Sequence, residues 1–173
     1  MTFDLAAVKA TLRQTPGTLH QMLGNLPDDL RLANEGDGTW SPFDIVGHLI
    51  HGEKTDWIPR AKIILSDGDK RFEPFDRFAQ ERESAGKSLA QLLDEFTDWR
   101  STNLRELDLL DLSPENLTKT GIHPEFGEVT LQALLSTWAG HDFGHIYQMS
   151  RVLTKQWAAH AGPWKVYIRA MND

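Results

Sequence analysis

Apolar residues recur along this chain at helical rather than strand spacing, in four long stretches separated by polar connections. Near the start, Leu5, Val8 and Leu12 share one face. Thr2 is a candidate N-cap ahead of Asp4, which predicts a helix to about Arg13. Thr15-Pro16 then reads as an N-cap followed by proline at a first helical position, so an interruption is expected before a short helix through Leu19, Met22 and Leu23. Residues 24–39, with Asn25, Pro27, Gly36, Asp37 and Gly38, have the composition of turns. Ser41-Pro42-Phe43-Asp44 is the clearest helix start in the chain: a capping hydroxyl, a proline at the first position and an acid three residues on. The second helix should run to about Leu65. Its apolar residues Ile45, Val46, Leu49, Ile50, Trp57, Ala61 and Ile64 cover a wide arc, as suits contact with two neighbours, and Pro59 predicts a kink.

A third helix follows Ser88 through Leu92, Leu93, Phe96, Trp99, Leu104 and Leu107, ending near Leu110. A fourth runs from near Thr130 to about Thr154 on Leu131, Leu134, Leu135, Trp138, Met149, Val152 and Leu153. Between them, alternation at Thr118, Thr120 and Ile122 before His123-Pro124-Glu125-Phe126-Gly127 predicts a short hairpin, with His123 in an exposed turn. Residues 66–86 form a long charged connection whose Phe72, Phe75 and Phe78 can pack it onto the helices or line a pocket mouth. A short last helix around Trp157, Trp164, Val166, Tyr167 and Ile168 should cover one end. The pattern predicts an all-α chain: a single domain, residues 1–173, built as an antiparallel four-helix bundle with a hairpin before its fourth helix.

The candidate chemistry lies on the fourth helix, where His141 and His145 fall on the same side as the apolar residues. Residues i and i+4 stand about 5 to 6 Å apart at Cβ, so both imidazoles can reach one metal ion. The spacing alone is weak, because seven histidines give roughly 0.3 such pairs by chance. Two core histidines bonded to their neighbours fit it as well, and only a third ligand from a facing helix separates the readings. On the second helix Asp44, His48, His51 and Thr55 form a polar stripe whose plain reading is a solvated face. His48 borders the apolar arc, whereas His51 lies further round. His20 is polar-flanked and expected at the surface.

Composition narrows the classes. The chain has 173 residues, 40% hydrophobic and 25% charged, and no apolar run long enough for a membrane span. Its start lacks the basic and apolar regions of a secretory signal, so a cytoplasmic location is expected. A net charge of −7 without basic runs opposes nucleic acid as a partner. With no cysteine, disulfides, thiolate metal ligands and a protein thiol nucleophile are excluded; a metal must sit on His and oxygen donors.

Trp40-Ser41-Pro42-Phe43-Asp44-Ile45-Val46-Gly47-His48 on one helix, and His141-Asp142-Phe143-Gly144-His145-Ile146-Tyr147-Gln148 on another, resemble the DinB-like superfamily of four-helix-bundle metalloproteins. The likeness extends to His123 through Gly127 and to Gln156 through Trp164, nearly the whole chain. It implies that His48, His141 and His145 bind a divalent metal, zinc or nickel foremost. It also implies a metal-dependent transferase that joins a low-molecular-weight thiol such as bacillithiol or mycothiol to a small-molecule substrate. A non-catalytic metal- or ligand-binding bundle and a metal-dependent hydrolase are the alternatives. Three histidines leave coordination positions for water or substrate, and a metal beside a thiol favours its thiolate, so a cysteine-free protein can use a thiol brought as cosubstrate. Asp44, Asp142 and Gln148 lie where they can hold the imidazoles.

Opposite the histidines, the fourth helix presents Gly140, Phe143, Gly144 and Tyr147. Two glycines in a helix interior cost about 1 kcal/mol each, which a close-packed neighbour would explain. That neighbour is either another helix of the same chain or a second subunit; because DinB-like proteins are often dimers, a homodimer is expected.

Overall fold

The computed structural model describes residues 2–172. Four long helical arms build the bundle: α1 (Leu5–Leu23), the pair α3 (Pro42–Thr55) and α4 (Trp57–Leu65), α6 (Leu89–Leu109) and α8 (Leu131–Gln156). Three short helices, α2 (Asp28–Arg31), α5 (Ala79–Glu83) and α7 (Pro114–Thr118), sit in the connections. An antiparallel hairpin, β1 (Thr120–His123) and β2 (Gly127–Thr130), precedes α8. α1 packs on α6 and α8, and α3 packs on the same two helices, so successive arms α1 and α3 face each other across the core instead of lying side by side.

The starts follow the capping chemistry. Ser41 and Asp44 form a reciprocal capping box with Pro42 in the first turn, Ser88 and Gln91 do the same for α6, and Thr130 caps α8 through the Ala133 amide at 3.1 Å. The cap of α1 is Asp4, which accepts from the Ala6 amide at 2.9 Å, rather than Thr2.

The apolar side chains form two clusters. One takes Val8 and Leu12 from α1, Trp57 to Ile64 from α4, Leu104 and Leu107 from α6, and Leu131 to Trp138 from α8. The other takes Leu19 and Leu23, Ile45 to Ile50, Leu89 to Phe96, and Met149. The early halves of α1 and α8 thus meet the later halves of α3–α4 and α6, so the two pairs run in opposite directions. Between the clusters, at the waist, lie the buried polar side chains Thr15, Glu53, Arg100, Asn103 and Asp142.

That waist accounts for the main departure from the sequence pattern. α1 is not interrupted: Pro16 lies inside one continuous 19-residue helix. A proline there has no N–H for the carbonyl four residues back. That carbonyl, on Leu12, accepts instead from Arg100 Nη1 at 2.8 Å. The break expected at Pro59 falls three residues earlier, at Asp56, leaving Pro59 in the first turn of α4, where the missing N–H has no helical partner to lose.

The 66–86 connection is pinned to the hairpin. The Phe72 amide donates to the Ile122 carbonyl at 3.0 Å, the Ile122 amide to the Lys70 carbonyl at 2.8 Å, and Phe72 itself is buried. Gly121 makes this possible, since a Cβ there would lie 2.6 Å from the Phe72 ring. The C-terminal residues differ from the expected covering helix: they form two 3₁₀ segments, Gly162–Tyr167 and Arg169–Met171, with Trp157, Trp164, Val166 and Tyr167 exposed. The face of α8 bearing Gly140, Phe143, Gly144 and Tyr147 is largely open, with α1 bordering it only beside Gly140 and Phe143. Phe143 and Tyr147 are 60% and 61% exposed, and among the described residues nothing beyond the adjoining helix backbone would lie within 4 Å of a Cβ on either glycine. Among the described residues no helix is long and apolar enough to cross a membrane.

Candidate metal centre

His48 from α3 and His141 and His145 from α8 come together just beyond the polar waist. His141 Nε2 lies 3.2 Å from His48 Nε2 and 3.1 Å from His145 Nε2. Four-coordinate zinc with bonds of 2.0 to 2.1 Å would hold its ligand atoms about 3.3 Å apart, so the spacing suits a tetrahedral ion. Burial pushes His48 down to about 3 and His141 down to about 2, in each case reinforced by neighbouring histidines; burial also lowers His145. All three rings are therefore neutral near pH 7 and present lone pairs, the form that binds metals.

The proton positions sharpen the point. His145 Nδ1 faces the Gln148 carboxamide oxygen at 2.9 Å, so Nδ1 carries the hydrogen and Nε2 the lone pair. His48 Nδ1 and His141 Nδ1 are buried without a hydrogen-bond partner among the described residues. Three converging nitrogens cannot all be satisfied by one another's few protons, whereas one cation satisfies them together. These residues fit a divalent metal. Aromatic rings wall the group: Trp40 lies 4.7 Å from the His48 ring by centroids, Phe75 meets His48 edge-on at 5.4 Å, and Trp57 meets His141 edge-on at 5.1 Å.

Of the three residues expected to support the ligands, Gln148 alone does so directly. Asp44 is spent on the cap of α3. Asp142 turns into the waist, where it accepts from Thr15 Oγ1 at 2.5 Å and Arg100 Nη1 at 2.6 Å. The stripe on α3 is solvated only towards its ends, where Thr55 is exposed and Asp44 half-buried. His48 and His51 are both buried, and His51 Nδ1 lies 3.0 Å from Glu83 Oε1, because the 66–86 connection and α5 fold over it. Gly47 permits that packing, since a Cβ there would strike the side chain of Ser84, the residue that ends α5. His20 is half-buried with Nε2 3.3 Å from Thr97 Oγ1, away from the centre.

A cleft of about 510 Å³ opens onto His48 and His141. Its walls come from α4, the connection and the hairpin, among them Trp57, Arg60, Phe75 and His123. His123 is thus half-buried at the cleft, not free in a turn. Arg60 and Arg77 went unread in the sequence. The Asp56–Arg60 spacing of four, with Nη2 to Oδ1 at 2.8 Å, was a signal for the first; nothing local marks the second.

Comparison with known proteins agrees with this architecture. A search of curated proteins finds no match. A solved structure described as "YfiT from Bacillus subtilis is a probable metal-dependent hydrolase with an unusual four-helix bundle topology" superposes with a TM-score of 0.75 at 17% identity, covering 90% of each chain. At that identity the likeness is one of fold. The DinB superfamily pattern matches residues 11–149, which contain all three histidines, and the chain belongs to that superfamily.

Proposed function

We propose that this protein is a divalent-metal-dependent enzyme acting on a small molecule, with His48, His141 and His145 as its ligands. The observation that carries the reading is the meeting of three neutral imidazoles, Nε2 to Nε2 at 3.1 and 3.2 Å, two of which, His48 and His141, line a cleft large enough for a substrate. Zinc and nickel suit an all-imidazole donor set. When bound, such an ion lowers the pKa of a neighbouring water or thiol and polarises a carbonyl oxygen. The chain's own part is preparation: burial keeps the rings unprotonated, Gln148 fixes the tautomer of His145, and Trp40, Trp57 and Phe75 thin the water around the reacting atoms.

The nucleophile must come from outside, since the chain has no cysteine and its best-placed ionisable groups are the proposed ligands. Water, giving hydrolysis, is the first reading and is supported by the description of the B. subtilis protein. A low-molecular-weight thiol, giving S-transfer, is the second. It is supported by the cleft volume, which accommodates two small reactants, and by the absence of a competing protein thiol. The open, aromatic face of α8 supports a homodimer formed through Phe143 and Tyr147.

The test begins with metal content after reconstitution: about one divalent ion per chain in the wild type, and a lowered content in each His→Ala variant. Esters, amides and simple electrophiles are then screened with and without bacillithiol, mycothiol, glutathione or coenzyme A. Turnover should vanish with a chelator and return with metal. Unchanged metal stoichiometry and affinity in all three variants, or turnover that survives complete metal removal, refutes the reading.

A further inference from the structure

The cleft carries a second polar group that the histidine centre does not use. Arg60 is 7% exposed and lines the cleft with its guanidinium 5.3 Å from the Phe72 ring centroid. Its Nη2 lies 2.8 Å from Asp56 Oδ1 and donates to the Glu73 carbonyl at 3.4 Å. Nε and Nη1 have no hydrogen-bond partner among the described residues. Beside it, His123 Nδ1 accepts from the Glu125 and Phe126 amides at 3.1 and 3.3 Å, so the ring proton sits on Nε2, which is a donor. The His123 ring is fixed by stacking on Phe126 at 4.5 Å. Burial, then Arg60, lowers the His123 pKa, placing the two groups within each other's field and keeping the ring neutral.

With Nη2 committed to Asp56 and the Glu73 carbonyl, the two remaining nitrogens diverge, so the guanidinium offers single charge-assisted donors and an anion is held by one of them together with the neighbouring His123 Nε2–H. We propose that the substrate carries a carboxylate, which Arg60 grips with help from His123 Nε2, while an apolar or aromatic body spans the cleft towards His48 and His141. This rests on the small-molecule reading above and names the substrate class for that site. A monoanion fits better than a phosphate dianion. The charges lining the cleft are two arginines, Arg60 and Arg77, against Asp56 and Glu125, so they nearly cancel, and a second negative charge would meet Asp56 directly. The rest of the lining, including Trp57, Phe75 and Phe126, offers ring faces for the body.

The experiment uses metal-free protein, so that a carboxylate cannot bind through the metal. Its tryptophan fluorescence, to which Trp40 and Trp57 at the cleft contribute, is titrated with 4-phenylbutyrate, its neutral amide and inorganic phosphate. The acid should bind at least about tenfold more tightly than the amide and more tightly than phosphate, and Arg60→Gln should remove the preference. Equal binding of acid and amide, no binding of either, tighter phosphate, or a preference that persists in a folded Arg60→Gln protein overturns the proposal. Should that variant not fold, the Arg60 Nε–H resonance of the wild type decides: a shift with acid but not amide supports the site, and none refutes it. Metal stoichiometry, measured separately, is indifferent to all of these outcomes, so this proposal and the metal reading fail independently.

Discussion

Two buried polar groups sit next to each other inside this bundle, built on the same helices and satisfied in opposite ways. At the waist, Arg100 uses all five of its N–H donors. Nε and Nη2 reach Glu53 Oε1 at 3.1 and 2.8 Å; Nη1 and Nη2 reach the two Asp142 oxygens at 2.6 and 3.0 Å; Nη1 also reaches the Leu12 carbonyl. Asn103 and the Trp138 indole complete Glu53. The chain closes that group by itself. One turn away, the histidines present nitrogens to one another, and two of their outer nitrogens lack partners among the described residues. The first cluster is complete within the chain, as a structural one must be; the second leaves buried nitrogens unmet, which is what supports the proposal that it receives a cation.

The largest test of that contrast is Arg100→Met. Two buried carboxylates would lose their cation and the Leu12 carbonyl its donor, so stability should fall by about 3 to 5 kcal/mol. In metal-free protein, His145→Ala should cost only about 1 kcal/mol, because the ring it removes is neutral and half-buried. Urea unfolding monitored by circular dichroism measures both. If the histidine variant proves the costlier, the assignment of structural and functional roles is reversed.

Acid supplies the next test. The unfolded rings titrate near 6.5, whereas in the folded chain His48 and His141 are held at about 3 and about 2. Below pH 6.5 the unfolded chain takes up protons that the folded chain refuses. Stability of the metal-free protein is therefore full above pH 6.5 and falls as the pH drops towards 3, by up to about 1.4 kcal/mol per pH unit for each ring. Asp56 acts in the opposite sense. Burial raises its carboxyl to about 6 from 3.8, so between those values the folded chain binds the extra proton and recovers part of the loss. The net slope remains downward with acid, and His48→Phe should flatten it. An unchanged slope in that variant would show that the ring is not held neutral by the fold.

The same comparison marks what the sequence could disclose. The four arms, the caps of all but the first and the hairpin follow from local rules, and so does the inward side of His141 and His145, because helical period depends on neighbours in the chain. The waist was partly legible. Arg100 and Asn103 occupy stripe positions between Phe96 and Leu107, and Glu53 stands between Ile50 and Trp57, where charge is costly unless paired. Their partners were not legible, so Pro16 read as a break when its freed carbonyl belongs to a guanidinium 88 residues away. The burial of His51 and the cleft face of His123 depend on how the 66–86 connection folds over α3 and against the hairpin, which no periodicity encodes. His48 was singled out by its place on α3 and by family resemblance, and the fold brings its Nε2 to His141.

Gln148 offers a more moderate effect. It touches no proposed metal position, yet it holds the His145 tautomer through Nδ1 at 2.9 Å. Gln148→Ala should weaken metal binding by about tenfold while leaving the metal-free melting curve nearly unchanged. Competition against a chromophoric chelator measures it. Equal affinity would mean that packing alone orients the ring.

The smallest effect belongs to the outward face of α8, where Gly140 and Gly144 have open space at the Cβ position in the isolated chain. On a free helix face, alanine at each site should stabilise by up to about 1 kcal/mol, since the helix no longer orders a glycine backbone. In the proposed homodimer the two Cβ atoms would instead stand between subunits brought close by Phe143 and Tyr147. The double variant Gly140→Ala/Gly144→Ala should then shift the equilibrium towards monomer, read as molar mass by light scattering over a concentration series, while the dilute monomer melts at a higher temperature than its wild-type counterpart. A wild type that is monomeric throughout the series removes the dimer outright. A dimer whose affinity is untouched by both alanines keeps self-association but moves it off this face.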